Sequence, residues 1–304
     1  MKKHSLVFGA ACAAIFVLAV APGQTLLAQC SPAAGQVLEG VHMKSPILGR
    51  NVNYAVYLPP DYGTSTRRYP VVYLLHGYTD NESGWIQFGG INLAADRAIA
   101  EREIPPMIIV MPDGGVTFYI NDAANKVRYE DMFVKEFIPF IDATYRTRPA
   151  KEFRGISGLS MGGWGSLTLA MRHPDLFTAC AAFSAAVWTD EDFAAFEQPT
   201  YDRMFGALFG PKLSGNDRLT AHFKGYSPLD LAKTLPVETL KKVRIYLDCG
   251  DDDFLFRGNA ALHAALRERK IPDEFRSRDG SHSWIYWRTG IIAGLKFIGE
   301  DFNR

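Results

Sequence analysis

Ser160 stands between two glycines in the stretch "FRGISGLSMGGWGS" (153–166), directly after an apolar run that reads as a strand and directly before one that reads as a helix. Gly158-Leu159-Ser160-Met161-Gly162 fits G-x-S-x-G, and at a strand-to-helix junction that pattern forms a tight turn presenting the serine hydroxyl at the end of the strand. Side chains at 158 and 162 would crowd the neighbouring backbone, which explains the glycine pair. Ser157 lacks those flanking glycines. A serine hydroxyl is a weak nucleophile until a base takes its proton, and the base in turn needs an acid to orient it. The chemistry such a set serves is acyl transfer.

With a serine on such a turn, the acid is expected in a loop after a late strand and the base in a loop near the C-terminal end. Of the seven histidines, His4 lies in the N-terminal leader, His42 precedes the sheet, and His173 and His263 sit on helical patterns. His222 falls in an irregular insertion, and His76 comes too early in the chain. His282, in "RSRDGSHSWIYW", is the expected base. The run "RIYLDCGDDDF" offers Asp248, Asp251, Asp252 and Asp253. Asp248 should point within its strand. Spacing from Gly250 favours Asp253, with Asp252 next, while the others are read as solvated or as capping the helix that starts near Gly258. Donors for a developing oxyanion are expected from two backbone N–H groups. One is that of Met161, at a helix N-terminus, and the other that of Tyr78, after "YPVVYLLHG".

These residues need a scaffold that brings strand ends together. "YPVVYLLHG" (69–77), "PMIIVMPDGG" (106–115), "EFRGISGLS" (152–160), "FTACAAFSAAV" (177–187) and "KVRIYLDCG" (242–250) are near-continuous apolar runs, as in parallel strands buried on both faces. "YEDMFVKEFIPFIDATY", "GWGSLTLAMRH" and "GNAALHAALRERK" between them read as helices. The alternation predicts one open α/β sheet covered on both sides, with ligands at the carboxyl ends of its strands. Upstream, "NVNYAVYLPPDY" alternates like an exposed-edge antiparallel strand, paired with "VLEGVHMKSPIL". Residues 189–240, rich in Phe, Gly and Pro in their first part, interrupt the alternation and are expected to form a small cap of short helices. Trp85, Phe118, Trp188 and Trp284 are candidates to line a slot near the site, with core packing as the alternative for each. Asp113 in "MPDGG" is read either as a substrate contact or as an Asp-Gly turn, and Glu130 as a first-turn helix charge.

Lys plus Arg and Asp plus Glu both total 33, so no net field favours nucleic acid or an anionic membrane. Lys2 and Lys3, an apolar stretch over about 6–20 and small residues after it make a secretory leader over residues 1–28, with cleavage after Ala28. Residues 29–304 then form a single domain in a secreted or periplasmic protein. A membrane anchor and lipidation at Cys30 are the alternatives; the apolar stretch is shorter than the roughly 20 residues a span needs. Cys180 and Cys249 lie in buried-strand runs and read as core. No paired Cys or His spacing suggests a metal site or a cofactor.

"YLLHGYTDNESGW", "MPDGG", "GLSMGGWGSLTLAMRHPDLF", "DCGDDDF" and "GSHSWIYW" resemble the esterase branch of the α/β-hydrolases, the esterase D-like group that includes feruloyl and acetylxylan esterases, S-formylglutathione hydrolases and mycolyltransferases. The likeness runs from about residue 37 to the C-terminal end. It implies the α/β-hydrolase fold, with Ser160 as nucleophile, Asp253 as acid, His282 as base, and Tyr78 and Met161 at the oxyanion positions. Gly280-Ser281-His282 stands where the family often has G-G-H. The resemblance also implies an ester substrate, and the leader favours feruloyl or acetyl esters of plant polysaccharides over a cytosolic thioester. Acyl transfer to a sugar, a formylglutathione-type thioesterase and a non-catalytic binding protein are the other readings.

Overall fold

The computed structural model describes residues 34–303. The leader, its cleavage point and Cys30 lie outside the described residues. No helix among the described residues is long and apolar enough to cross a membrane.

Eight strands form one sheet: β1 (Gln36–Ser45), β2 (Arg50–Leu58), β3 (Val71–Leu75), β4 (Ile108–Pro112), β5 (Arg154–Leu159), β6 (Ala179–Phe183), β7 (Arg244–Asp248) and β8 (Asp273–Arg276). Their spatial order is β1-β2-β4-β3-β5-β6-β7-β8. β1 and β2 pair antiparallel, β2 runs antiparallel to β4, and every other pairing is parallel. This is the mostly parallel, helix-flanked sheet expected of an α/β-hydrolase.

The apolar runs form strands because both faces are covered. On β3, Val71, Tyr73 and Leu75 belong to one packed cluster and Val72 and Leu74 to the other, the period-2 alternation of a pleated strand. The helices Met161–Arg172 and Phe256–Glu268 contribute to the first cluster, and Ile91–Ala100 and Trp284–Gly299 to the second. Cys180 and Cys249 are buried free thiols, and burial pushes the Cys180 thiol up to about 12. The helical run from Tyr129 to Thr144 contains a π-turn at Phe133–Phe137. Pro139 lies two residues beyond it, and a wider turn accommodates its missing N–H and bulky ring.

One expectation for the sheet is corrected. β2 is not an edge strand: β4 pairs with its second half, so Tyr54 to Leu58 are all buried, and β1 takes the edge. The polar alternation that suggested an edge is confined to its first residues.

Short helices fill the segment between β6 and β7, from Asp190–Ala194 to Val237–Leu240. Thr189, Thr220 and Ser227 cap three of them by accepting from the N–H groups of Asp192, Phe223 and Asp230. Phe193 stacks on Phe223 at 3.9 Å and packs against Phe205 at 5.1 Å. This aromatic cluster is continuous with the main core.

The strand order sets where a ligand can enter. β3 lies between β4 and β5, so the connections leaving β3 and β5 diverge and open a crevice at the carboxyl edge of the sheet.

Candidate active site

Ser160 occupies that crevice. It has φ +52° and ψ −117°, a backbone conformation that costs an L-residue energy and persists only where its surroundings enforce it. Its N–H donates to the Phe183 carbonyl at 2.9 Å, and its own carbonyl accepts from Trp164 N–H at 3.0 Å and Ala186 N–H at 2.9 Å. A Cβ at Gly158 would sit 2.4 Å from the Gly162 carbonyl oxygen, and one at Gly162 would sit 2.4 Å from the Leu75 oxygen and 2.6 Å from the His76 oxygen. Backbone from three segments therefore closes around the turn. Ser157 is buried and donates its hydroxyl to the Ala181 carbonyl at 2.8 Å, a structural use.

The structure brings Ser160, His282 and Asp253 together. His282 Nε2 lies 3.0 Å from Ser160 Oγ, and His282 Nδ1 lies 2.8 Å from Asp253 Oδ2 and 3.1 Å from Oδ1. An ionised carboxylate only accepts, so Nδ1 carries the proton and Nε2 is left to accept from the serine hydroxyl. Asp253 is 4% exposed. Burial alone would raise its pKa, but the hydrogen bond and charge of His282, the N–H of Leu255 and the Ser184 hydroxyl outweigh it and hold the carboxyl below the ordinary aspartate range.

The neighbouring carboxylates have other partners. Asp251 Oδ1 accepts from Gly280 N–H at 3.1 Å, and the backbone N–H of exposed Asp252 donates to the Gly280 carbonyl at 3.1 Å. These bonds join the Asp253 loop to the His282 loop. Asp251, Asp252 and Asp279 form an exposed group with one oxygen from each within 4.8 Å of the others. Asp248 is buried in β7 and accepts from Tyr286, Tyr246 and Arg278.

Met161 opens the helix Met161–Arg172, so its N–H belongs to the first turn, where intrahelical acceptors are missing. Tyr78 enters from the loop after β3. A Cβ at Gly77 would lie 2.8 Å from Leu159 Cδ1 and 3.7 Å from Ser160 Cβ, which places this loop against the serine turn. Buried His76 secures it: Nε2 accepts from Gly114 N–H and Nδ1 donates to the Gly77 carbonyl, both at 2.8 Å. His76 thus ties the ends of β3 and β4 together.

A cleft of about 400 Å³ opens over Ser160 and His282, lined by Tyr78, Asp80, Met204, Phe254, Trp284 and Trp287. Of the residues proposed from sequence to contact substrate, only Trp284 reaches it. Trp85 is corrected to core: it is 1% exposed, its indole N–H donates to the Leu75 carbonyl at 3.0 Å, and it meets Trp284 edge-on at 5.3 Å. Trp188 packs on Phe205 at 5.2 Å and Phe196 at 5.6 Å inside the insertion's aromatic cluster, and Phe118 is buried against Phe205 and Trp164. Asp113 takes its turn reading, since Oδ1 accepts from Gly115 N–H at 2.8 Å. A larger groove of about 480 Å³, between the helices Ile91–Ala100 and Trp284–Gly299, shares no residue with this cleft.

Several residues that build the site carry no motif. The Ser184 hydroxyl, on a residue with φ +42°, accepts from the Trp287 indole N–H at 3.0 Å, and Trp287 meets the His282 ring edge-on at 4.9 Å. Phe254 follows the acid directly, and Trp287 lies three residues beyond Trp284 on the same helical face, which are the two signals that were available. Glu130 is a buried anchor as well as a helix-start charge. It accepts from Arg172 Nε at 2.7 Å and Tyr226 Oη at 2.7 Å and lies 2.8 Å from His173 Nε2. Burial opposes its ionisation, but these partners hold its pKa at about 2.

Strand order, serine turn and loop positions together define the class of α/β-hydrolases. A family model described as "Putative esterase" matches residues 45–298, and the chain belongs to that family. A Mycobacterium tuberculosis protein described as an esterase is 29% identical over 259 residues, covering 77% of this chain and 53% of the relative. The chain therefore spans about half that relative's length. An acetyl esterase of Caldicellulosiruptor saccharolyticus is 25% identical over 276 residues, covering 86% of this chain and 97% of the relative. A solved ferulic acid esterase superposes with a TM-score of 0.77 at 30% identity, covering 88% of this chain and 99% of that one.

Proposed function

We propose that the chain is a serine carboxylic ester hydrolase that works through an acyl-enzyme on Ser160. The observation that carries this reading is the hydrogen-bonded relay from Ser160 Oγ through His282 to buried Asp253, at 3.0 and 2.8 Å, at the floor of an open cleft. As Oγ attacks the ester carbonyl, His282 Nε2 takes its proton, and the oxyanion is received by the N–H groups of Met161 and Tyr78. Nε2 then protonates the departing alcohol. Water, deprotonated by the same nitrogen, cleaves the acyl-serine and restores the enzyme.

The substrates we propose are feruloyl or acetyl esters of plant polysaccharides. Likeness to a ferulic acid esterase and an acetyl esterase supports this, as do the aromatic residues of the cleft and the leader-like N-terminus, which favours esters met outside the cytoplasm. The test is turnover of p-nitrophenyl acetate, methyl ferulate and acetylated xylan by the wild type and by Ser160→Ala. The variant is expected to lose several orders of magnitude in kcat. Equal inertness of both proteins on every ester would overturn the reading.

A further inference from the structure

At 75%, Phe254 is the most exposed large apolar side chain among the described residues. Single exposed apolar residues are ordinary on protein surfaces and need no function. This one sits in the cleft, adjacent in sequence to the acid, with its ring centroid 4.7 Å from that of His282 and tilted 49° to it. Its backbone is fixed on both sides. Asp253 Oδ1 accepts from Leu255 N–H at 2.9 Å, the Asp253 carbonyl accepts from Phe256 N–H at 2.8 Å, and Leu255 is buried. The ring is thus held out beside the base.

Reaction geometry says which half of a substrate meets it. In acylation the Oγ–C bond forms and the bond from the acyl carbon to the alkoxy oxygen breaks. The proton passes from Oγ to His282 Nε2 and on to that alkoxy oxygen, with no change of oxidation state. The alkoxy oxygen must therefore come within about 3 Å of Nε2, while the carbonyl oxygen turns towards the N–H groups of Met161 and Tyr78. The alcohol half leaves on the imidazole side, where Phe254 stands.

We propose that Phe254 is the contact for the alcohol half of the ester, its ring face taking the apolar face of a sugar, so that the enzyme selects among alcohols at this residue. The proposal rests on the serine-esterase reading. Two esters with the same acyl group separate it from other roles, because they share one acyl-enzyme and differ only in the alcohol released.

The experiment compares kcat/KM for methyl ferulate and for a feruloyl ester of arabinose in the wild type, Phe254→Ala and Phe254→Trp. The sugar-to-methyl ratio of kcat/KM should fall about tenfold in Phe254→Ala, equivalent to about 1.4 kcal/mol, and recover in Phe254→Trp. Equal losses on both esters would overturn the proposal by placing the residue's effect on the base or the acyl group, and an unchanged ratio without loss would overturn it by removing any contact. A wild type inert on both of these esters and on p-nitrophenyl acetate and acetylated xylan would overturn the parent reading, and this one with it.

Discussion

What fits His282 for the proposed role of base is what surrounds it rather than its type. Six other histidines are present, and His76 is also at the sheet edge, yet both its nitrogens are engaged by backbone groups. His282 has one nitrogen on a carboxylate and the other on the serine. Asp253→Asn should therefore lower kcat about 10⁴-fold, because an amide no longer enforces the Nδ1–H tautomer. Asp252→Asn should stay within a few-fold of wild type, since that residue joins the loops through its backbone. Steady-state rates on p-nitrophenyl acetate check both, and comparable losses would contradict the choice of acid. Spacing alone kept Asp252 and Asp253 open, because both follow the same glycine. They separate only once the chain turns, sending one carboxylate inward and leaving the other in water.

At the scale of elements, Glu130 joins three pieces of chain: the start of the helical run at Tyr129, the end of the serine's helix at Arg172 and His173, and Tyr226 before the helix Pro228–Thr234. Its pKa of about 2 in the fold lies below the ordinary glutamate value of about 4.3. A depressed carboxylate contributes stability that is fully present above the unfolded value and is lost as pH falls towards the folded one. Glu130→Gln is accordingly expected to destabilise by on the order of 3 kcal/mol at pH 7, with the gap closing between about pH 5 and pH 2. Denaturant melts of both proteins across that range test it, and a gap independent of pH would contradict the assigned charge state. The parallel strands were legible because burial on both faces leaves a continuous apolar run, and the serine turn because its glycines are forced by backbone contacts. β2 misled because its polar half reads as an edge, while its pairing with β4 depends on a strand 50 residues further on. Glu130 was legible as a helix-start charge, but its partners are 42 to 96 residues away in sequence, beyond any local pattern.

On the scale of the whole molecule, the sheet's strand order converts scattered loops into one site. Ser160 follows β5, Tyr78 follows β3, Asp253 follows β7 and His282 follows β8, all at the carboxyl edge. That convergence could be anticipated from the alternation of strands and helices. The cleft's wall could not, because an aromatic in a core and an aromatic in a cleft look alike in sequence: Trp85 and Trp284 touch each other, and only the second faces the opening. The central claim is that this architecture exists to make Ser160 a nucleophile. The most direct measurement is the intact mass of the protein after incubation with an aryl phosphonate ester, followed by peptide mapping. One adduct per chain, located on Ser160 and absent from Ser160→Ala, is the predicted result; no adduct, or one on Ser157 or another side chain, would contradict it.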